Sequence, residues 1–148
     1  MLGRVSRTAT HWPSFLLTPL TWNIFSMSTF NHHALIQTIS ENLAPFRKAQ
    51  PAVMQGFSKM ANAAMTEGAI SAKNKELMAL AIGVTQHCSG CIGFHIKALH
   101  KLECTRSELK EMLGVAVYMG GGPALMYAAE ALKAWVDMAP TESASKVG

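Results

Sequence analysis

Between Met112 and Ala129 the chain carries no charged residue, a run that just reaches the ~18 residues of a membrane-spanning helix. Gly120, Gly121, Gly122 and Pro123 divide it. Such a break suits two buried helices meeting at a sharp turn better than a continuous span. A second nearly uncharged helical stretch covers residues 76–87. The whole chain has 148 residues, enough for one ordinary domain. Two such apolar helices exceed what a domain of this size covers alone, so subunit packing is expected.

The rest of the pattern is also helical. Ala34, Leu35, Thr38, Ile39, Asn42, Leu43 and Phe46 recur near a 3.6-residue period, and that helix is expected to end near Ala49. Pro51 suits the first position of a second helix, whose apolar side carries Val53, Met54, Phe57, Met60, Ala61 and Ala64 before Gly68 ends it. Ser71 is placed to cap a third, with Leu77, Leu80, Ala81 and Val84 at core spacing. A fourth spans about Cys88 to Leu102. Thr105 and Glu108 form a capping-box pattern for a fifth, with Leu109, Met112, Leu113, Ala116, Val117 and Met119 on its buried surface. The last runs from Pro123 to about Met138. No stretch alternates β-branched and polar residues, so the expected class is all-α, with five to six helices and short loops.

Charge is uneven. Of 13 Lys+Arg against 9 Asp+Glu, Arg4 and Arg7 lie at the start, and no acidic residue precedes Glu41. The expected organisation is an extension over 1–30, a helical domain over 31–139 and a loose tail over 140–148. Pro13 and Pro19 interrupt the early apolar run, which argues against a secretory signal. An organelle presequence and translation upstream of a true start at Met27 are the other readings. The small net charge of +4, without a basic run, points away from nucleic acid.

The chemical signal is "QHCSGCIGFH". Cys88, Cys91 and His95 fall three and four residues apart, on a similar side of one helix. A dithiol at this spacing closes a disulfide with little backbone movement, and the free N–H groups of a first helical turn favour a thiolate. His95 is placed to hydrogen-bond Cys91 and activate it. Cys88, nearer the helix terminus, has its own claim to be the lower-pKa thiol, and spacing leaves the two orders open. Glu76, on the preceding helix, either orients His95 or decorates a solvated first turn beside Lys73 and Lys75.

The stretch from Asn74 to Leu132 resembles the AhpD-like alkylhydroperoxidase group of the carboxymuconolactone decarboxylase family. It carries the Glu, the C-x-x-C-x-x-x-H element, the T-x-x-E helix start and the glycine-rich break in order. The resemblance implies an all-helical fold assembled as trimers or hexamers. It also implies a thiol-dependent peroxidase acting on hydrogen peroxide or small organic hydroperoxides, reset by an external dithiol or thioredoxin-like reductant. Carried over residue by residue, Cys91 is peroxidatic, Cys88 resolving, His95 the thiol-activating base and Glu76 part of the proton relay. Peroxidases of this type have a second histidine directly before the second cysteine, where this chain has Gly90; His87 lies nearby but precedes Cys88. Lactone decarboxylation is not expected of a C-x-x-C member.

Cys104 reads as a small side chain in a turn, with a fourth zinc ligand beside Cys88, Cys91 and His95 as the minor alternative. No cofactor or metal is expected. His32 and His33 have no evident partner, and His100 is expected on a solvated face. Trp135 and Tyr127 fit core or subunit packing, and Tyr118 a hydrophobic entrance. The competing functional classes are a general disulfide oxidoreductase and a non-catalytic helical oligomer with a redox-switch disulfide. No membrane partner is expected, and the expected location is the cytoplasm.

Overall fold

A computed structural model of the chain describes residues 30–140. The expected extension over 1–30 and tail over 140–148 lie, but for their boundary residues, outside the described residues. Five helices follow one another: α1 (His32–Ala49), α2 (Pro51–Met65), α3 (Ala72–Thr85), α4 (Ser89–Lys101) and α5 (Arg106–Asp137). The fold is an all-α, five-helix orthogonal bundle.

Local chemistry sets the helix starts. Asn31 Oδ1 accepts the Ala34 N–H at the head of α1, and Ser71 Oγ accepts the Asn74 N–H at the head of α3. Pro51 opens α2 one residue after α1 ends. At α5 the capping box closes both ways: Thr105 Oγ1 accepts the Glu108 N–H while the Glu108 carboxylate accepts the Thr105 N–H. Lys73 adds an ion pair at 2.7 Å, tying the start of α3 to the start of α5. These donors hold the Glu108 carboxyl down at about 2, the Lys73 hydrogen bond contributing most.

α3 packs chiefly against α5 and α4. Leu80, Val84, Ile92, Ile96, Leu99 and Leu109 are fully buried at their meeting, each worth about 1.5–3 kcal/mol over exposure. α1 crosses α4 at Gly93, where an added β-carbon would come 2.5 Å from Ile36 Cγ2. α5 breaks at Gly121, whose φ of 68° and ψ of −154° belong to a region that only glycine adopts readily. The expected pair of helices meeting at a sharp break is present, as the two arms of α5. α5 is long and apolar enough to cross a membrane by length and composition. The break at Gly121 interrupts that apolar run, and one flank of the helix packs against α3 and α4.

Several expected faces are turned. On α1 the residues facing inward are His32 and Ile36, while Ala34, Thr38, Asn42 and Phe46 are exposed, because Gly93 lets the helix seat on its Ile36 side. α2 buries none of its residues; Val53, Phe57 and Met60 stay exposed because α2 touches the bundle only along α1 and the start of α3. Met119 is exposed as well. The second arm of α5 turns a stripe of small residues inward (Ala124, Ala128, Ala131 and Ala134), leaving Leu125, Met126 and Val136 outside. Close helix approach selects alanine there, so residue size misleads about which side is core.

Two histidines also depart from expectation. His32 is fully buried: its Nε2 lies 3.1 Å from Glu130 Oε1 and its Nδ1 3.4 Å from Asp137 Oδ2, and its backbone N–H also donates to Asp137. Burial pushes the Asp137 carboxyl up, but hydrogen bonds from Lys133 and His32 outweigh it and hold the group below its usual range. This cluster fastens the head of α1 to the end of α5. His100 is half-buried rather than on a solvated face, stacking on Trp135 at 3.9 Å and donating from Nε2 to the Trp135 carbonyl.

Candidate redox site

Cys88 sits where the end of one helix becomes the start of the next. α3 closes in a Schellman turn: the Cys88 N–H donates to the Gly83 carbonyl at 2.9 Å and the His87 N–H to the Val84 carbonyl at 3.2 Å. That turn needs a left-handed residue, and His87 supplies it at φ 57°. A side chain there costs about 1–2 kcal/mol, offset in part by the His87 ring stacking on Tyr127 of α5 at 4.8 Å. Cys88 is then delivered as the N-cap of α4, its sulfur accepting the Cys91 N–H at 3.2 Å.

Cys88 and Cys91 are joined as a disulfide across the first turn of α4, with their Cα atoms 5.2 Å apart. One turn further on, His95 Nδ1 lies 2.7 Å from Glu76 Oε2, which reaches over from α3. A carboxylate accepts, so Nδ1 faces Glu76 as the donor, and Nε2 is the ring nitrogen turned away from it. The pair is sheltered without being sealed, the side chains being 29% and 15% exposed for His95 and Glu76. Glu76 therefore meets His95, and is not spent on a solvated first turn.

Two hollows flank this end of α4. The larger, about 550 Å³, lies among α1, α2 and α4; Ile39, Phe57, Ala61 and Phe94 wall it, and Cys88, Cys91 and His95 open into it. The smaller, about 230 Å³, lies between α3 and α4, lined by Ala79, Ile82, Gly83 and Gln86 together with Cys91 and His95. Both are almost wholly apolar apart from the redox groups. The walls were not singled out by sequence reasoning. The apolar face of α2, carrying Phe57 and Ala61 four residues apart, was the signal that could have found them.

Gly90 fits its surroundings closely. A β-carbon there would stand 2.9 Å from Ile39 Cδ1, so any larger residue must displace Ile39. His87 does not stand in for the second histidine, since its ring lies against Tyr127. Tyr118 is 84% exposed and lines neither hollow.

Cys104 closes the far end of α4, in a second Schellman turn. Glu103 is left-handed at φ 52°, and the Cys104 N–H donates to the Leu99 carbonyl at 3.0 Å. Its thiol is free and buried; burial and the Glu108 carboxylate push it up. The 13 residues of α4 separate it from Cys88 by about 20 Å. A zinc quartet of Cys88, Cys91, His95 and Cys104 is thus ruled out by geometry. Among the described residues no three His, Cys, Asp or Glu side chains converge as a metal site.

Residues 51–134 match the model of the carboxymuconolactone decarboxylase family. A protein of Cupriavidus necator is 38% identical over 94 residues, covering 64% of this chain and 83% of its own. A protein encoded in the cox locus of Paracoccus denitrificans is 27% identical over 93 residues, covering 63% and 84%. Among solved structures, an apo carboxymuconolactone decarboxylase family protein from Legionella pneumophila superposes with a TM-score of 0.71 at 53% identity, covering 72% of this chain and 96% of that one. With the helical bundle, the C-x-x-C disulfide and these likenesses together, the chain belongs to the carboxymuconolactone decarboxylase family, as an AhpD-like member with a thiol-redox centre.

Proposed function

We propose that the protein is a thiol-dependent peroxidase that reduces hydrogen peroxide or small organic hydroperoxides. The observation that carries this is the Glu76–His95 hydrogen bond at 2.7 Å, one helical turn from a C-x-x-C disulfide that opens into two apolar hollows. A disulfide that only braced the helix would have no use for a carboxylate-oriented imidazole beside it.

In the proposed cycle His95 Nε2 takes the Cys91 thiol proton, and Glu76 steadies the imidazolium. The thiolate attacks one peroxide oxygen: an S–O bond forms, the O–O bond breaks, and the leaving hydroxide or alkoxide recovers the proton from His95 as water or alcohol. Cys91 is left as a sulfenic acid, oxidised by two electrons. Cys88, whose sulfur accepts the Cys91 N–H, gives up its proton and attacks as a thiolate; the S–S bond forms, the S–O bond breaks, and the hydroxide leaves with that proton as water. An external dithiol or thioredoxin-like reductant then attacks the disulfide, passes through a mixed disulfide and leaves oxidised, restoring both thiols. The roles of Cys91, Cys88, His95 and Glu76 belong to this proposal.

One observation favours a second reading, a general disulfide oxidoreductase. Gly90 and its contact with Ile39 leave out the second histidine of peroxidase members, which removes one proton donor but no part of the dithiol. A trimer or hexamer of this domain, working in the cytoplasm, completes the proposal. It draws support from the uncovered apolar residues of α2 and α5, among them Phe57, Met60, Tyr118 and Met126. Hydroperoxide consumption with dithiothreitol as reductant tests the reading: wild type turns over, and Cys91→Ser does not. Disulfide reduction without peroxide turnover selects the second reading instead.

A further inference from the structure

Resting on the peroxidase reading, the geometry points to separate entrances for the two reactants. The hydroperoxide meets Cys91 in the α3/α4 hollow, and the reducing dithiol meets Cys88 in the α1/α2/α4 hollow.

The argument is stereochemical. Displacement at sulfur runs in line, with the attacking atom opposite the leaving atom. When Cys88 attacks the sulfenic sulfur of Cys91, the departing oxygen must lie on the far side of Cys91 from Cys88. A hydroperoxide that delivers its oxygen on that side leaves the sulfenic acid already in line for Cys88. The α3/α4 hollow touches Cys91 and His95 without touching Cys88, and it places the proton-managing imidazole beside the incoming peroxide. Its volume of about 230 Å³ falls below the roughly 300–1,000 Å³ of drug-sized ligand sites, which suits hydrogen peroxide and short or single-ring hydroperoxides.

The return step reverses the line. A reductant thiolate that attacks Cys88 expels Cys91 as the thiolate beside His95, and it must approach Cys88 from the side away from Cys91. Of the two hollows, the α1/α2/α4 one alone reaches Cys88, which it does beside Cys91 and His95, and its volume of about 550 Å³ admits the arm of a carrier dithiol. The S–S bond between the cysteines breaks, a mixed disulfide forms on Cys88, and the second thiol of the reductant releases it. Ala79 and Ile82 then set hydroperoxide selectivity, while Ala61 and Phe57 set reductant selectivity.

Two half-reactions separate these entrances. Reduced full-length protein, freed of reductant, is mixed with hydrogen peroxide or cumene hydroperoxide and thiol loss is followed; oxidised protein is mixed with dithiothreitol and thiol gain is followed. Ala79→Phe is expected to slow oxidation by cumene hydroperoxide about tenfold, leaving reduction within about twofold. Ala61→Phe is expected to do the reverse. Ile82→Trp and Phe57→Trp, at exposed rim positions, repeat the test where a phenylalanine at the half-buried alanines unfolds the protein. The inference is overturned if Ala61→Phe slows oxidation while Ala79→Phe does not, or if both variants slow both steps alike. If wild type forms no disulfide with either hydroperoxide, the peroxidase reading fails and the hydroperoxide entrance with it. The dithiol entrance is then still decided by the reduction rates of the same variants.

Discussion

Replacing Gly121 by alanine isolates the cost of the break in α5. At φ 68° and ψ −154° the residue occupies a region that side chains adopt at a cost of about 1–3 kcal/mol. An added β-carbon meets nothing within 4 Å, so no clash contributes and the cost is that of the backbone alone. For a domain of this size each kcal/mol moves Tm by roughly 4 °C, so Gly121→Ala is expected to lower it by about 4–12 °C. Gly114 supplies the contrast. It lies inside the first arm of the same helix, exposed, with open space around its β-carbon position. Alanine there is expected to stabilise by about 0.5–1 kcal/mol. Urea titrations at one protein concentration, with unchanged slope, read both variants without interference from assembly. Equal effects of the two substitutions, or a Gly121→Ala protein as stable as wild type, would refute the reasoning. The break also matters to the site, because it sets the second arm so that Tyr127 meets His87 at the turn that delivers Cys88.

Other consequences concern charge and thiols. His32→Ala takes one partner from Glu130 and from Asp137, which keeps Lys133, and leaves a vacated buried position; it is expected to cost about 1–3 kcal/mol in a denaturant titration, and a loss below ~0.5 kcal/mol would show the cluster to be incidental. The Glu108 carboxyl, held down at about 2 in the folded protein, contributes stability that is complete above about 4.5 and lost as pH falls toward 2. Glu108→Gln is therefore expected to flatten acid unfolding across that window, and an unchanged profile would contradict the assignment. Cys104, buried and with its thiol pushed up, is expected to resist iodoacetamide in the native reduced protein while Cys88 and Cys91 are alkylated; modification of Cys104 at a comparable rate by peptide mass spectrometry would contradict its burial.

Features written into short stretches of chain were legible without a structure. Ser71, the Thr105–Glu108 box and Pro51 act on backbone groups within a few residues, so their local sequence is enough. The nearness of Glu76 to His95 followed from a resemblance alone, because its pattern suited a solvated first turn beside Lys73 and Lys75 as well. What stayed hidden depends on which elements meet. The inward side of α1 is chosen by Gly93 on another helix, and the alanine stripe of α5 by close approach to its neighbours. His32 finds its carboxylates about a hundred residues along the chain. His87 was noticed as a histidine near a cysteine, whereas its backbone, left-handed at the end of α3, is what places the dithiol.

The measurement closest to the central claim is trapping of the first oxidised species. Cys88→Ser removes the resolving thiol, so one equivalent of hydroperoxide is expected to leave Cys91 as a sulfenic acid that dimedone captures at that residue. Added Glu76→Gln is expected to slow its formation about ten- to a hundredfold, as the loss of an orienting partner does elsewhere. Dimedone captured on Cys88 in the Cys91→Ser protein, with none on Cys91 in the Cys88→Ser protein, would contradict the account.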